Sequence, residues 1–259
     1  MEKIIASVCI LTRNSAETLP RTLASIADFA DIVVSDSGST DDTVAIAERG
    51  GARIIRQKSN GPITDFSIER NHLIANAKHD WILMLDSDET ATPQLCEDIR
   101  HLIAAASSPL LYRIPMGLTY EGREVRYFSS LPGYHVRVFS KKSNGQYVKP
   151  IHERFDAPGL PIGTLKGRWM IHWDARRKQS AAFDTHLRND AALGADQPLM
   201  SFIRWKIVRQ FVGILAIIGY VIWARGCHRW SLCAPLWMEW QKIRYKALHI
   251  IFALQARYR

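Results

Sequence analysis

Short apolar runs alternate with polar, helix-like segments along the first hundred residues. The runs at 4–12, 31–36, 52–56 and 81–85 are strand-length and nearly uninterrupted, which is typical of strands buried on both faces of a parallel sheet. Amphipathic segments at about 17–27, 41–49 and 66–77 lie between them and predict helices. Strands and helices that alternate in this way predict an α/β fold with a doubly wound, mostly parallel sheet.

The turns around the second predicted helix and in the middle of the chain carry sequence signals of their own. Ser39 and Asp42 resemble a capping box for the helix at 41–49. Glu121-Gly122 lies between strand-like runs at 110–120 and 123–128, and Asn144-Gly145 lies between runs at 136–140 and 146–151. Both dipeptides predict hairpins, and therefore a smaller antiparallel region after the parallel sheet.

The positive charge of the chain is confined to its last quarter. Residues 1–198 contain 24 basic and 24 acidic side chains, whereas residues 199–259 contain ten basic residues and one acidic residue, Glu239. Five of the eight tryptophans also fall in 199–259. A basic segment that is rich in Trp and Ile favours an anionic membrane surface over nucleic acid as a partner.

Within this tail, residues 211–224 form an uncharged stretch of 14 residues. A helix that spans a bilayer needs about 20 apolar residues, so we expect a helix lying in the cytoplasmic face of the membrane. Basic side chains on both sides of the stretch can reach lipid head groups; they are Arg204, Lys206, Arg209, Arg225 and Arg229. The alternatives are a helix packed inside the protein and a contact between identical subunits.

The run at 81–85 leads directly into Asp86-Ser87-Asp88-Glu89. Ligands of open α/β sheets bind at the carboxyl ends of the strands. Two carboxylates in an Asp-x-Asp spacing offer hard oxygen ligands to Mg²⁺ or Mn²⁺, which can in turn hold a diphosphate. The alternative is a polar turn in which Asp88 or Thr90 caps a helix that begins near Thr92.

The sequence lacks the motifs of several common enzyme classes. The first strand is not followed by Gly-x-Gly-x-x-Gly, and neither a P-loop nor Gly-x-Ser-x-Gly is found, which disfavours a Rossmann dehydrogenase, a P-loop enzyme and a serine hydrolase. The four cysteines are scattered without metal-binding spacing. Because the start of the chain also lacks a signal-peptide pattern, we expect reduced thiols in the cytoplasm.

Four ordered motifs resemble the family-2 inverting glycosyltransferases. They are Val8-Cys9-Ile10-Leu11-Thr12-Arg13-Asn14, the segment from Val33 to Thr43, Arg70-Asn71, and Asp86-Ser87-Asp88-Glu89. The resemblance implies a GT-A fold in residues 1–198, with a donor half at about 1–107 and an acceptor half at 108–198. Ile151-His152-Glu153 and the Trp-rich tail resemble the bacterial lipopolysaccharide-core β-1,4-glucosyltransferases of that family.

On the donor side, the resemblance implies a role for each matching position. Thr12 and Asn14 would line the nucleotide pocket, and Asp36 would accept a hydrogen bond from uracil; its alternative is a strand-end turn. Arg70 would meet the diphosphate, its alternative being a solvated helix face. Asp86 would hold the ribose or sugar side and contribute to the metal site.

The same resemblance assigns the metal and the base. Asp88 would bind the metal, and His172 would complete its shell, unless His172 is a core histidine with satisfied hydrogen bonds. Glu153 would deprotonate the acceptor hydroxyl, its alternative being a salt bridge to a neighbouring Arg154 or Lys149. Should Glu153 not be the base, Asp156 and Asp174 are the next candidates.

The resemblance therefore implies a Mg²⁺- or Mn²⁺-dependent inverting transferase that moves glucose from UDP-glucose to a lipopolysaccharide inner-core heptose. It would be peripheral on the inner face of the cytoplasmic membrane, with a lipid-linked saccharide as acceptor. The alternatives are another nucleotide sugar or a capsule glycan as substrate, a metal-dependent nucleotidyltransferase, and a non-enzymatic adaptor. A nucleotidyltransferase usually has a Gly-rich basic loop after its first strand, which Arg13-Asn14-Ser15 does not provide.

Overall fold

A computed structural model describes residues 2–59, 63–105, 109–131, 133–150, 153–173, 198–227 and 232–258. The chain forms two compact units, Met1–Gly117 with Pro132–His172, and Leu118–Leu131 with Trp173–Arg259. The predicted division at residue 198 stays a prediction.

The described elements are as follows. The strands are β1 Ile4–Thr12, β2 Phe29–Asp36, β3 Arg53–Arg56, β4 Trp81–Asp86, β5 Glu89–Ala91, β6 Leu111–Tyr120, β7 Arg123–Val125, β8 Tyr134–Ser140, β9 Gln146–Val148, β10 Arg154–Asp156, β11 Ile162–Thr164 and β12 Trp169–Trp173. The helices are α1 Leu19–Ser25, α2 Thr43–Arg49, α3 Phe66–Asn76, α4 Pro93–Ala104, α5 Leu199–Phe202, α6 Arg209–Cys227 and α7 Leu236–Arg257. A π-helix, Ile203–Val208, separates α5 from α6.

The first unit is built on a sheet whose strand order begins β3-β2-β1-β4. These four strands are parallel, and α1, α2 and α3 connect them, so the predicted doubly wound α/β fold is confirmed. The sheet continues through β8, which is antiparallel to β4, and then through β6. Strand β5, which follows Asp88 directly, pairs antiparallel with β12, and β12 adjoins β6 in the same sheet.

The uninterrupted apolar runs reflect burial on both faces of the sheet. In β4, Leu83 and Leu85 enter one core cluster, whereas Ile82 and Met84 enter the cluster on the other face. All four side chains are at most 1% exposed. Alternate residues of a strand point to opposite faces, so both positions of the repeat must be apolar here.

The predicted capping box is wrong, and so is the cap that was the alternative to a metal site at Asp88. Asp42 occupies the N-cap position of α2 without a side-chain bond, and Asp41 instead accepts hydrogen bonds from the Thr43 amide and hydroxyl; Ser39 is held by Asp36 and is not available for a capping box. The α4 helix is capped by Thr92, whose hydroxyl accepts from the Leu95 amide. Capping by Asp88 or Thr90 is thereby excluded, because Thr92 is the N-cap residue, Thr90 lies within β5 and Asp88 precedes that strand.

One hairpin is confirmed and the other is wrong. Tyr120 pairs with Arg123 across Glu121 and Gly122, which both have the positive φ angles that a tight turn needs. At Asn144-Gly145, a 3₁₀ turn separates the flanking strands. Strand β8 pairs with β4 and β6, and β9 pairs with β10, because the buried sheet supplies β8 with partners on both sides.

The second unit contains the predicted C-terminal helices. In α6, six large apolar side chains are exposed; they are Phe211, Val212, Leu215, Ile218, Ile222 and Trp223. The helix has 19 residues and is long and apolar enough to cross a membrane by length and composition alone. It exceeds the predicted 14-residue stretch because helical backbone continues to Arg209 on one side and Cys227 on the other.

Glu239, the single acidic residue of 199–259, connects α7 by hydrogen bonds to the segment after β7. The Glu239 carboxylate is buried and accepts hydrogen bonds from the amide and the hydroxyl of Ser129. Lys242 also donates to the Ser129 hydroxyl and lies over the Phe128 ring. Because a buried carboxylate needs such partners, Glu239 has a structural role in this unit.

Candidate active site

Two carboxylates end the two strands that flank β1, at one edge of the parallel sheet. Asp36 of β2 pairs in register with Thr12 of β1, and Asp86 of β4 pairs with Leu11 on the other side of β1. Adjacent strands are about 4.8 Å apart, so both aspartates lie beside the end of β1. The predicted crevice at the strand ends is thus present in the fold.

The turn that carries Asp86 and Asp88 is fixed by hydrogen bonds on several sides. The Ser87 hydroxyl lies 2.7 Å from that of Ser15, and the Ser87 carbonyl accepts a hydrogen bond from Thr22 at 3.0 Å. The Glu89 carboxylate accepts the Asp86 amide proton at 2.9 Å. The backbone between the two aspartates is therefore held in place before any ligand binds.

Arg70 joins this turn to Glu153. Its Nη2 donates to Asp86 Oδ1 at 2.8 Å, and its Nε donates to Glu153 Oε1 at 2.7 Å. Arg70 is 8% exposed, so the solvated-helix alternative does not hold. Glu153 pairs with Arg70, and not with Arg154 or Lys149 as its alternative assumed. Among the described residues, Arg70 Nη1 has no hydrogen-bond partner.

The position of Glu153 depends on Asn71, the neighbour of Arg70 on α3. The Asn71 side-chain amide accepts from the Tyr147 amide at 2.8 Å and donates to the Tyr147 carbonyl at 2.9 Å. This bond pair attaches β9 to α3, and β10, which follows Glu153 directly, pairs with β9. The Arg70 guanidinium also lies over the Tyr147 ring at 5.4 Å, so Arg70 and Glu153 are positioned together.

Arg137 and Glu89 also belong to this network; sequence analysis named Glu89 only as the last residue of the acidic motif, without a role, and missed Arg137. Arg137 Nη1 binds Glu89 Oε2 at 2.7 Å, and Nη2 lies 3.7 Å from Asp86 Oδ2. The Arg137 guanidinium stacks 4.0 Å from the Trp169 ring centroid. The available signal was an arginine inside the apolar strand Val136–Phe139, where a buried charge requires a partner.

The charges in this network shift the protonation of its carboxyl groups. Burial alone would raise the pKa of Asp86, but the Arg70 guanidinium, followed by that of Arg137, holds the pKa of Asp86 well below its usual range. Burial raises the pKa of Glu89 to about 8, although Arg137 opposes this and Asp86 adds to it. Asp86 is thus a fixed anion beside the candidate base.

The predicted nucleotide-pocket residues form a second group at the end of β1. The Asn14 side chain accepts a hydrogen bond from the Thr40 amide at 2.8 Å, and its backbone has a positive φ of 48°. The Asp36 carboxylate accepts from the Gly38 and Ser39 amides, as its strand-end turn alternative predicted. Thr12 Oγ1 is buried and has no hydrogen-bond partner among the described residues, so a ligand could supply one.

His172 lies on β12, which pairs with β5 directly after Asp88. Its Nε2 is 2.7 Å from Thr90 Oγ1, in the paired strands β12 and β5. Burial, followed by the charge of Arg21, lowers the pKa of His172, while Asp88 opposes the shift. The imidazole is therefore favoured in the neutral form that metal binding requires.

The described part of the chain contains no group of three or more His, Cys, Asp or Glu side chains arranged to hold a metal ion. Mg²⁺ is commonly held by one or two carboxylates together with substrate phosphates and water. Asp88 and His172 are the candidates for such a shared site, because they adjoin Glu89 and Ile171, which pair across β5 and β12. Ile151, His152 and the alternative base Asp174 lie outside the described residues.

Comparison with solved structures supports the fold. A mannosyltransferase from Pyrobaculum calidifontis, solved with GDP-Man and Mn²⁺, superposes with a TM-score of 0.55 at 12% identity and covers 100% of this chain and 88% of that one. Staphylococcus aureus TarS, solved with UDP-GlcNAc, gives a TM-score of 0.52 at 17% identity, over 100% and 91% of the two chains. The predicted GT-A fold class, with C-terminal helices, is confirmed.

Sequence comparison gives the family. Residues 7–151 match Glycosyl transferase family 2, and the chain belongs to this family. An uncharacterized glycosyltransferase of Rickettsia felis is 36% identical over 55% of this chain and 49% of its own length. A TPR repeat-containing protein of Synechococcus elongatus is 34% identical over 64% of this chain and 39% of its own length. The chain thus spans half or less of the length of these curated relatives.

Proposed function

We propose that this protein is a metal-dependent inverting glycosyltransferase that moves glucose from UDP-glucose to an inner-core heptose of lipopolysaccharide. Membership of the family supports sugar transfer and removes the basis for the nucleotidyltransferase and adaptor alternatives. The choice of glucose and of a lipopolysaccharide acceptor rests on the resemblance of the Glu153 motif and the basic tail to core glucosyltransferases.

The observation that carries the proposal is the Arg70 bridge between Glu153 and Asp86. Inversion needs a base on one side of the anomeric carbon and a leaving diphosphate on the other. Glu153 is bound by Nε and Asp86 is bound by Nη2 of the same guanidinium group. This arrangement would keep the base at a set distance from the Asp-x-Asp turn that receives the donor.

In the proposed reaction, the acceptor hydroxyl oxygen attacks the anomeric carbon while Glu153 takes the hydroxyl proton. The bond between the anomeric carbon and the diphosphate oxygen breaks, and UDP leaves with that electron pair. Arg70 would contribute positive charge where the leaving group becomes more negative. Thr12, Asn14 and Asp36 would bind the nucleotide, with the unpaired Thr12 hydroxyl available to it.

Asp88 and His172 would hold Mg²⁺ or Mn²⁺ together with the donor phosphates. A bound divalent cation neutralises charge on the leaving diphosphate. Asp86, which the arginines keep ionised, adds negative charge to the same turn.

The tail would hold the enzyme on the cytoplasmic face of the membrane, where a lipid-linked acceptor is found. The formal charge of +9 in residues 199–259 and the exposed apolar side chains of α6 support this location. Each basic residue near an anionic leaflet contributes about 1 kcal/mol.

The test is a donor panel on the full chain, comparing UDP-glucose, UDP-GlcNAc and GDP-mannose, with heptose-containing and heptose-free acceptors. We expect UDP-glucose and the heptose acceptor to give the highest turnover. Transfer should stop in excess EDTA and return with Mn²⁺ or Mg²⁺. Asp88→Ala should lower turnover by orders of magnitude, whereas the exposed control Asp28→Ala should not.

Different outcomes correct different parts of the proposal. Faster turnover with another sugar nucleotide would reassign the donor, and transfer to a heptose-free glycan would reassign the acceptor. Full activity in EDTA would remove the metal from the mechanism, and absence of transfer from every donor would overturn the proposed activity.

A further inference from the structure

The second unit contains a cavity of about 340 Å³ that the proposed chemistry does not use. It lies between the β6–β7 hairpin and the start of α7, and Tyr120, Arg123, Val125, Arg225 and Leu236 are among its lining residues. Small-molecule sites typically begin at about 300 Å³. The cavity is therefore large enough for a ligand head group.

Two guanidinium groups give the cavity its charge. Arg225 Nη2 donates to the Ala234 carbonyl at 2.6 Å, which fixes this side chain at the cavity wall. Arg123 is exposed, and among the described residues it forms no salt bridge. Among the described residues, none of those that line the cavity is acidic, so its polar side favours an anion, and the Tyr120 hydroxyl adds a hydrogen-bond donor.

The remaining wall is apolar. Val125, Pro235 and Leu236 contribute to it, and Leu236 is 55% exposed. On the same helix, Trp237 and Trp240 are also exposed. An anion alone would leave these groups in water, whereas an anion attached to a hydrocarbon chain would cover them.

We propose that this cavity binds the phosphate group of a membrane lipid, and that this lipid carries the acceptor sugar. The second part rests on the proposed function. Arginine binds phosphate oxygens through two parallel N–H donors, and Arg123 and Arg225 offer two such groups in one cavity. Leu236 and the exposed tryptophans would contact the beginning of the lipid chain.

Binding of the full-length protein to vesicles tests this site without relying on transfer. The vesicles contain phosphatidylcholine with phosphatidic acid, which has a terminal phosphate, or with phosphatidylserine at the same surface charge. We expect a preference for phosphatidic acid, and Arg123→Gln should reduce this preference roughly tenfold, as loss of a charge-assisted hydrogen bond does. Arg126→Gln is the matched control, because Arg126 is outside the cavity lining and pairs with Glu124 at 3.2 Å.

A second variant pair separates charge from shape. Leu236→Glu places a carboxylate at the exposed wall and should abolish the preference, whereas Leu236→Gln has the same size and should retain it. If Arg123→Gln and Arg126→Gln lower the preference for phosphatidic acid equally, the preference comes from general attraction to the surface and the proposed site is wrong. Complete release by inorganic phosphate, at an ionic strength where chloride has no effect, would assign the cavity to free phosphate instead.

Transfer assays on the same variants keep the two proposals distinguishable. Arg123→Gln should impair transfer to a lipid-embedded acceptor and leave transfer to a soluble sugar fragment unchanged. If the wild-type protein transfers no sugar but still prefers phosphatidic acid through Arg123, the lipid site stands and the proposed function fails. If Arg123→Gln impairs both transfers equally, the carrier role of the lipid is refuted.

Discussion

Arg70 Nε donates a hydrogen bond to Glu153 Oε1 at 2.7 Å, across 83 positions of the chain. Because Nη2 of the same guanidinium binds Asp86, one buried side chain sets the separation between the candidate base and the turn at the end of β4. The catalytic proposal therefore depends on a geometry that exists without substrate.

Replacing Glu153 by Gln should uncouple proton transfer from binding. The Gln Oε1 atom can still accept the Arg70 hydrogen bond, so the fold and donor affinity should survive. Loss of a general base typically lowers the rate by about 10²–10⁴-fold. Initial rates of transfer, with donor affinity measured by calorimetry, test this. Asp156→Asn is the control: normal transfer by Glu153→Gln together with inactivity of Asp156→Asn would move the base to Asp156.

Arg137 should stabilise the fold because its guanidinium contacts the buried Glu89 carboxyl group and that of Asp86. Above pH 8, where Glu89 is ionised, Arg137→Met removes the charge beside Glu89 and Asp86, and breaking one partner of a buried ion pair costs about 3–5 kcal/mol. Urea unfolding of the single and double variants measures the effect. Adding Glu89→Gln should recover part of the loss, because the amide carries no charge. Additive losses in the double variant would show that the two side chains are not coupled.

Asp31 should make the stability of the first unit depend on pH. Burial would raise its pKa, but the hydrogen-bonded Arg53 and the Lys78 amide lower it to about 2. The unfolded value is near 3.8, so the ionised form adds about 2 kcal/mol above pH 4. This contribution should disappear as the pH falls from 4 towards 2, since both states are then protonated.

The measurement is the difference in free energy of unfolding between the wild type and Asp31→Asn across this pH range. The difference should be largest near neutral pH and shrink below pH 4. Asp28→Asn, at an exposed position just before β2, should show no such decrease. A constant difference for Asp31→Asn would mean that Asp31 is not stabilised by its charge.

The strands and turns that were predicted correctly are those that local sequence patterns determine. Strands β1 and β4 follow from apolar runs that are buried on both faces, and the Glu121-Gly122 turn follows from residues that accept positive φ. The hairpin at Asn144-Gly145 failed because β8 obtains its partners from β4 and β6, which are distant in sequence. The residues of a turn do not indicate whether the flanking strands pair with each other or with strands that are distant in sequence.

For the site, motif matching found Arg70, Asp86 and Glu153 but not the network that connects them. Arg137 was missed because a single arginine in a strand has no periodic signature; only its burial against Glu89 reveals its partner. The fold places all of these residues near one another because β4 and β8 pair and because Asn71 fixes β9. Such pairings act over tens of residues and leave no local pattern.

The exposed apolar side of α6 should determine membrane affinity. Ile222 is 70% exposed, and Ile222→Asp would place a charge among the apolar groups that we expect to enter the interface. Flotation with anionic vesicles should show at least roughly tenfold weaker binding. The same substitution at Ile162, which is 54% exposed in the first unit, should leave binding unchanged. High salt should release the wild-type protein only in part, because apolar burial is not screened.

Point variants are preferable here to removal of the tail. Glu239 satisfies the amide and hydroxyl of Ser129, so a chain that ends near residue 197 would lose these bonds together with the membrane contacts. Equal vesicle binding by Ile222→Asp and the wild type would favour the packed-helix or subunit-contact alternatives for α6.

The long separation between the partners in this site has a consequence for biosynthesis. Asn71 binds Tyr147 across 76 positions, and Arg70 binds Glu153 across 83. Chains are synthesised from the N-terminus and begin to fold as they emerge, whereas contacts between distant positions form slowly. On the ribosome, the strands that carry Asp36 and Asp86 can therefore assemble well before Glu153 is made. A nascent chain at that stage would have the proposed sugar-nucleotide side of the site without the proposed base, so the ability to transfer sugar would be acquired last.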